Sequence, residues 1–138
     1  MHCQYEGQAA RHINTVGRDY IITVNSEHKV DVFKRGNPQR IKELDIEYMR
    51  FSIVVGSYLF IGTEEKLLYM VDTKSFNIVD KISTQNFIFT ISMIDKGTLI
   101  CGQYQGFIDI IKIQGQNLAK IYQARSFNTN VYKIVQTD

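Results

Sequence analysis

The stretch of sequence that decides the fold is GTLICGQYQGFIDIIKI, residues 97–113. It contains two runs rich in β-branched and aromatic residues, 98–101 and 107–113, on either side of a polar loop bounded by Gly102 and Gly106. Glycine adopts positive φ at little steric cost, and two β-rich runs separated by a glycine-containing loop of this length are typical of a hairpin. We therefore predict that Gly102 and Gly106 let the chain reverse between two paired strands.

The same hairpin pattern occurs twice more upstream, over residues 20–34 and 58–72. The copies lie 38 to 40 residues apart, because the equivalent positions are Ile22, Ile61 and Cys101 in the first strand and Val32, Met70 and Ile110 in the second. Each copy lies between two further β-rich runs. A four-stranded unit that recurs at about this period is typical of propeller blades.

The three copies predict an all-β chain. Little helix is expected, because no segment has a sustained apolar period of 3.6 residues. Residues 39–46 fit either a strand or one amphipathic helical turn, and their context favours the strand, while residues 76–82 are predicted as a strand. We place the units at about residues 12–46, 47–84 and 86–123, with the first strand of a next unit at 130–136 and a tail or the remnant of a preceding strand at 1–11.

The composition excludes several classes of partner. The chain has 138 residues, of which 44% are hydrophobic and 22% charged, which is ordinary for one globular domain. Its net charge of +2 is small and its basic residues are scattered, so no nucleic-acid partner is expected. The longest apolar-leaning run, 51–61, is far shorter than the ~20 residues that span a bilayer, so no membrane partner is expected.

The ends and the cysteines predict a cytoplasmic location. The first residues lack the apolar segment of a secretory signal. Two cysteines, Cys3 and Cys101, are too few for a disulfide framework, and we expect a reducing compartment in which Cys101 is a small buried hydrophobic residue.

The sequence lacks the common motifs of phosphate-binding, metal-binding and catalytic sites. It has no glycine-rich phosphate loop, Cys-x-x-Cys, His-Glu-x-x-His or Gly-x-Ser-x-Gly motif. The histidines, His2, His12 and His28, have no metal-ligand spacing, and the adjacent Glu64 and Glu65 are more typical of solvated turn charges than of catalytic carboxylates. We therefore expect no enzyme activity, no cofactor and no metal. Asp31, Asp72 and Asp109 lie near the same position of each unit, where structural roles explain them.

In its repeated four-stranded unit the chain resembles the WD-repeat β-propeller family. The segment LFIGTEEKLLYMVD, residues 59–72, follows the outline of a WD blade, with Val71-Asp72 where the family has Trp-Asp. Residues 99–112 and 20–34 follow it too, and the resemblance covers about residues 12–136. The chain has no tryptophan and no Gly-His dipeptide, so the family's Asp–His–Ser/Thr–Trp hydrogen-bond network is not carried over. The resemblance implies a partial propeller of about three four-stranded antiparallel blades.

Three blades are fewer than the four to eight that typically close a propeller. The chain is therefore expected to be a piece of a larger propeller or to associate, for example as two chains that form one six-bladed ring. The alternative is a β-trefoil that binds a carbohydrate or protein ligand, because three repeats of this length also describe that fold. The long apolar runs 67–71 and 107–113 favour the propeller, because they resemble strands buried on both faces.

The resemblance implies a non-catalytic protein-interaction or scaffold module. Its partners would be other proteins, the remaining blades or a second copy. The family's usual contact surface is formed by the turns between the second and third strands and by the connections between blades. On this sequence the candidate partner-binding residues are His28, Glu64, Glu65, Lys66, Tyr104, Arg125 and Phe127. The aromatic anchors are Tyr104 and Phe127, because large aromatic residues often dominate binding energy.

Overall fold

The computed structural model describes residues 13–126, which form three four-stranded antiparallel sheets. In the first blade the strands are β1 (Ile13–Val16), β2 (Tyr20–Val24), β3 (Lys29–Lys34) and β4 (Arg40–Glu47). The middle blade contains β5 (Met49–Val55), β6 (Tyr58–Thr63), β7 (Leu67–Asp72) and β8 (Ile78–Ser83). The third blade contains β9 (Ile88–Asp95), β10 (Thr98–Gln103), β11 (Phe107–Gln114) and β12 (Asn117–Arg125).

Within each blade, strands that follow one another in sequence pair with one another. The prediction of an all-β partial propeller with three four-stranded blades is thus confirmed. The alternative β-trefoil is wrong, because the three repeats form three separate sheets that do not close on themselves. The predictions for residues 1–11 and 130–136 lie outside the described residues.

The hydrophobic core consists of two layers, one between each pair of adjacent blades. Strand β7 contributes to both, because alternate side chains point to opposite faces of a sheet. Tyr69 and Val71 belong to the cluster shared with the first blade, whereas Leu68 and Met70 belong to the cluster shared with the third. The middle blade is therefore covered on both faces, as its long apolar run predicts.

Strand pairing corrects the alignment of the repeats by one residue. Val32, Met70 and Ile110 do occupy the same place, but their cross-strand partners are Ile22, Phe60 and Ile100. Ile61 and Cys101 are therefore not equivalent to Ile22. A shift of one residue moves a side chain to the other face of the sheet, so Ile61 and Cys101 face the preceding blade while Ile22 faces the following one.

Two turns also differ from the prediction. Gly102 lies within β10, and the chain reverses in a single 3-10 turn, Tyr104–Gly106, where Gln105 and Gly106 have positive φ. Phe76, predicted in a strand, lies in the β7–β8 turn with φ of 57°. Between residues 13 and 126, no helix is long and apolar enough to cross a membrane.

The third blade packs tightly against the middle blade at Gly62. A Cβ atom built there would lie 2.5 Å from Cγ2 of Ile88, which is fully buried. Only glycine leaves room for this isoleucine, so the absence of a side chain at Gly62 sets how closely β9 packs on β6.

Candidate interaction surface

One end of the blades carries the turns β2–β3, β6–β7 and β10–β11 together with the two connections between blades, and we call it the connector end. Backbone hydrogen bonds join these segments in a repeated pattern. Tyr48, in the first connection, donates its N–H to the carbonyl of His28 and accepts the N–H of Glu64. In the second connection, Phe87 accepts the N–H of Tyr104 at 2.8 Å. Each connection is thus held by the turns of the blades on both sides.

In the first two blades a polar side chain at the end of the second strand holds the following turn, and the residue type differs between the blades. The side-chain oxygen of Asn25 accepts the N–H groups of Glu27 and Lys29. In the middle blade, Thr63 Oγ1 accepts the N–H groups of Glu65 and Leu67. These bonds satisfy turn amides that have no partner in the strand ladder, so they fix the shape of the connector end.

In the third blade the equivalent residue, Gln103, is part of a buried network around Asp109. Asp109 is fully buried, and its carboxylate accepts hydrogen bonds from the side-chain amide of Gln85 at 2.8 Å and from that of Gln103 at 3.0 Å. Lys120 Nζ lies 3.7 Å from Oδ2 of Asp109. Gln103 also accepts the N–H of Asn86 at 2.7 Å. The network therefore anchors the second connection to the interior of the third blade.

In the first blade Asp31 holds the position of Asp109, but its partners differ. Oδ1 of Asp31 accepts bonds from Asn25 and Arg40, whereas Oδ2 of Asp31 and Oγ1 of Thr23 are buried without a hydrogen-bond partner. Burial therefore raises the pKa of Asp31, although Asn25 and Arg40 oppose the shift. Asp72 is not equivalent to these residues, since Tyr69 occupies this position in the middle blade.

Aromatic and arginine side chains form a row along the connector end. At the junction of the first two blades, the His28 ring stacks on Tyr48 with centroids 4.6 Å apart. At the next junction, the Arg50 guanidinium lies 4.8 Å from the centroid of Phe89, whose ring is 6.2 Å from that of Tyr104. About 36–37% of the surface of Tyr48, Phe87 and Tyr104 is exposed. The row, defined as His28, Tyr48, Arg50, Phe87, Phe89 and Tyr104, is thus accessible to a partner.

The predicted site residues are all found at this end, where they fall within the described residues. His28 and Tyr104 belong to the row. Glu64, Glu65 and Lys66 are exposed in the β6–β7 turn, and Glu64 lies 3.7 Å from Arg50. Arg125 donates to the carbonyl of Gln105 and stacks on Phe107 instead of joining the row. Phe127 lies outside the described residues.

Sequence reasoning missed four members of the row: Tyr48, Arg50, Phe87 and Phe89. The sequence did contain one signal for two of them, because each connection between blades carries an aromatic residue, Tyr48 or Phe87. Tyr48 has φ of 58°, a conformation that bulky residues rarely adopt, and no sequence pattern indicates it.

Within the described residues there is neither a group of metal ligands nor an exposed thiol. Among residues 13–126, no group of three or more His, Cys, Asp or Glu side chains is placed to hold a metal ion. Cys101 is buried in the cluster between the middle and third blades, where burial and the nearby Asp109 charge raise its pKa far above the ordinary value. It is therefore a protonated, inaccessible thiol.

Comparisons with known proteins reveal similar structures but no family. No family model and no curated protein matches this chain. The computationally designed Ika8 protein is similar over 97% of the chain, with a TM-score of 0.79 and 12% identity. The computationally designed Ika4 protein matches over 98%, with a TM-score of 0.77 and 12% identity. Sqt1 from Saccharomyces cerevisiae matches over 93%, with a TM-score of 0.74 and 10% identity.

The fold is propeller-like. The similar structures include designed propellers and WD-repeat or propeller-like proteins, and at these low identities they show the fold alone. The chain spans 42% of the length of Ika8 and 38% of that of Sqt1, but 85% of that of Ika4.

Proposed function

We propose that this chain is a non-catalytic protein–protein interaction or scaffold module of the WD-repeat-like propeller type. The observation that carries the proposal is the row of aromatic and arginine side chains at the connector end. Tyrosine, phenylalanine and arginine are enriched in the cores of protein interfaces, and tyrosine and arginine are common among the residues that dominate binding energy.

Hydrogen bonds also fix the backbone segments that carry the row. Tyr48 and Phe87 are in connections that are fixed by backbone hydrogen bonds, and Gln103 and Asp109 hold the second connection from inside. His28 and Tyr48 both have positive φ, a backbone strain that clusters at binding sites. A rigid frame that presents aromatic side chains loses little entropy when a partner binds.

Replacing Tyr104 by alanine tests the proposal. Because the Tyr104 ring contacts both Phe87 and Phe89, we expect Tyr104→Ala to weaken binding of the protein partner by tenfold or more. Partners captured by the wild-type chain from a lysate would be identified by quantitative mass spectrometry, and the affinity of the purified partner would then be measured for each variant.

The matched control is Tyr122→Ala, which removes an aromatic side chain of 58% exposure from the outer strand β12. Binding should remain at the wild-type level in this variant. If Tyr104→Ala and Tyr48→Ala both bind the purified partner as tightly as the wild-type chain does, the row is not the contact surface.

We further propose that another blade packs on the outward face of the third blade. Ile100, Ile108 and Ile110 are only half-buried there, whereas the equivalent Phe60, Leu68 and Met70 of the middle blade are fully buried under the third blade. The remaining blades of a larger propeller or a second copy of this chain would supply the cover.

Light scattering tests the second-copy form of this proposal. We expect a mass above the single-chain 16.0 kDa, and Ile110→Asp should return it to that of one chain because a charge would be buried in the interface. Ile121→Asp, at a position of 55% exposure, is the control and should not change the mass. A wild-type chain that stays at 16.0 kDa at high concentration would contradict association with a second copy.

A further inference from the structure

The end of the blades opposite the connector end has a cleft at each junction between blades. The cleft between the first two blades is lined by residues such as Val16, Tyr20 and Thr73, and the cleft between the middle and third blades by Val55, Tyr58, Met93 and Ile113. The two clefts meet at Gly56, which borders both. They can therefore be compared as two copies of one site.

At the first cleft, an aromatic ring from the middle blade packs on the lining residue Tyr20. Phe76, in the β7–β8 turn, is 3% exposed and packs edge-on against Tyr20, with ring centroids 5.0 Å apart and planes at 70°. The turn between β7 and β8 spans five residues, which lets Phe76 reach back to Tyr20 of the first blade. This edge-to-face geometry is a favoured arrangement of two aromatic rings.

The second cleft has a tyrosine at the same position, but within residues 13–126 no ring from the following blade packs on it. Tyr58 is the counterpart of Tyr20, since each is the first residue of the second strand of its blade. Strands β11 and β12 are joined by only two residues, Gly115 and Gln116, and Gln116 is exposed. What remains is an open cavity of about 460 Å³, within the roughly 300–1,000 Å³ range of small-ligand sites.

Of the described residues that line this cavity, Lys96 is the charged one, and none is acidic. The neighbouring Asp95 carboxylate accepts the N–H of Gly97, and its pKa is lowered by this bond, by a bond to Thr98 and by the charge of Lys112. Among the described residues, no salt bridge to Lys96 is present. The first cleft, by contrast, has Arg18 and Asp19 side by side.

We propose that the cleft between the middle and third blades binds an aromatic side chain of a protein partner, which packs on Tyr58 as Phe76 packs on Tyr20. A carboxylate next to that aromatic residue, from Asp, Glu or a chain terminus, pairs with Lys96. This site goes beyond the interaction surface at the connector end, because it lies at the other end of the blades and requires a different partner segment.

The probe for this site is N-acetyl-L-phenylalanine, which carries one aromatic ring and one carboxylate. Titrated into the ¹⁵N-labelled full chain, it should shift the amide signals of Tyr58, Lys96 and Ile113, with a dissociation constant of about 1 mM for a ligand of this size. N-acetyl-L-phenylalaninamide, without the charge, and N-acetyl-L-leucine, without the ring, should each bind several-fold more weakly.

Lys96→Gln should weaken binding of the acid about two- to fivefold, as expected for a solvent-accessible ion pair, and leave binding of the amide unchanged. Lys74→Gln, in the exposed β7–β8 turn, is the matched control and should change neither. Signals that shift only at the connector end, or no shift at tenfold the expected dissociation constant, would overturn the proposal. Equal binding of acid and amide to the wild-type chain would overturn the role of Lys96.

Discussion

Phe76→Ala is expected to lower the free energy of unfolding by about 3–5 kcal/mol. Phe76 is 3% exposed and belongs to the cluster between the first two blades, where its ring contacts Tyr20. Alanine would leave a cavity there, and the β7–β8 turn would lose the side chain that holds it against the first blade. Urea denaturation followed by circular dichroism measures the change.

The matched control is Phe87→Ala, in the second connection, where 37% of the side chain is already exposed. It should cost about 1–2 kcal/mol, less than Phe76→Ala, because Phe87 is only partly buried and belongs to neither core cluster. If Phe76→Ala and Phe87→Ala had equal effects, Phe76 would not be a core residue of the junction.

Gln103→Leu is expected to lower the free energy of unfolding by about 2–4 kcal/mol. The substitution removes the amide that donates to the buried Asp109 carboxylate and the oxygen that accepts the N–H of Asn86. Leucine has a similar size, so the loss comes from buried polar groups without partners. Gln123→Leu, on the exposed side of β12, is the control and should change stability by less than about 0.5 kcal/mol.

A double-mutant cycle with Gln85→Leu tests whether Asp109 couples the two glutamines. Gln85 and Gln103 donate to the same carboxylate, so the two substitutions should not be additive, with a coupling of roughly 0.5–3 kcal/mol. Additive effects would mean that the two glutamines act separately and that Asp109 does not join them.

The fold was largely predictable from the sequence because its signals are local. The alternation of β-rich runs and turns defines each blade, and the 40-residue period defines their number. The apolar run 67–71 also predicted correctly that the middle blade is covered on both faces. Each of these depends on residues close together in the chain.

What could not be predicted depends on contacts between blades and on exact register. The match of Ile61 and Cys101 to Ile22 was wrong by one residue, since apolar side chains lie on both faces of these strands and the pattern does not mark the register. Phe76 is apolar enough for a strand, and only the cleft beside Tyr20 explains its place in a turn. The row at the connector end combines Tyr48, Arg50 and Phe89 from segments that meet only in the folded protein.

The sequential order of strands in every sheet has a consequence for how chains of this kind change in length. In the part of the chain that the structure describes, no strand of one blade pairs with a strand of another, and Tyr48 alone separates β4 from β5. A duplication or loss of one whole unit at such a connection would therefore leave every strand pair intact. It would alter only the face-to-face contacts of the blades on either side, so blade number can change without any change in the pairing within a blade.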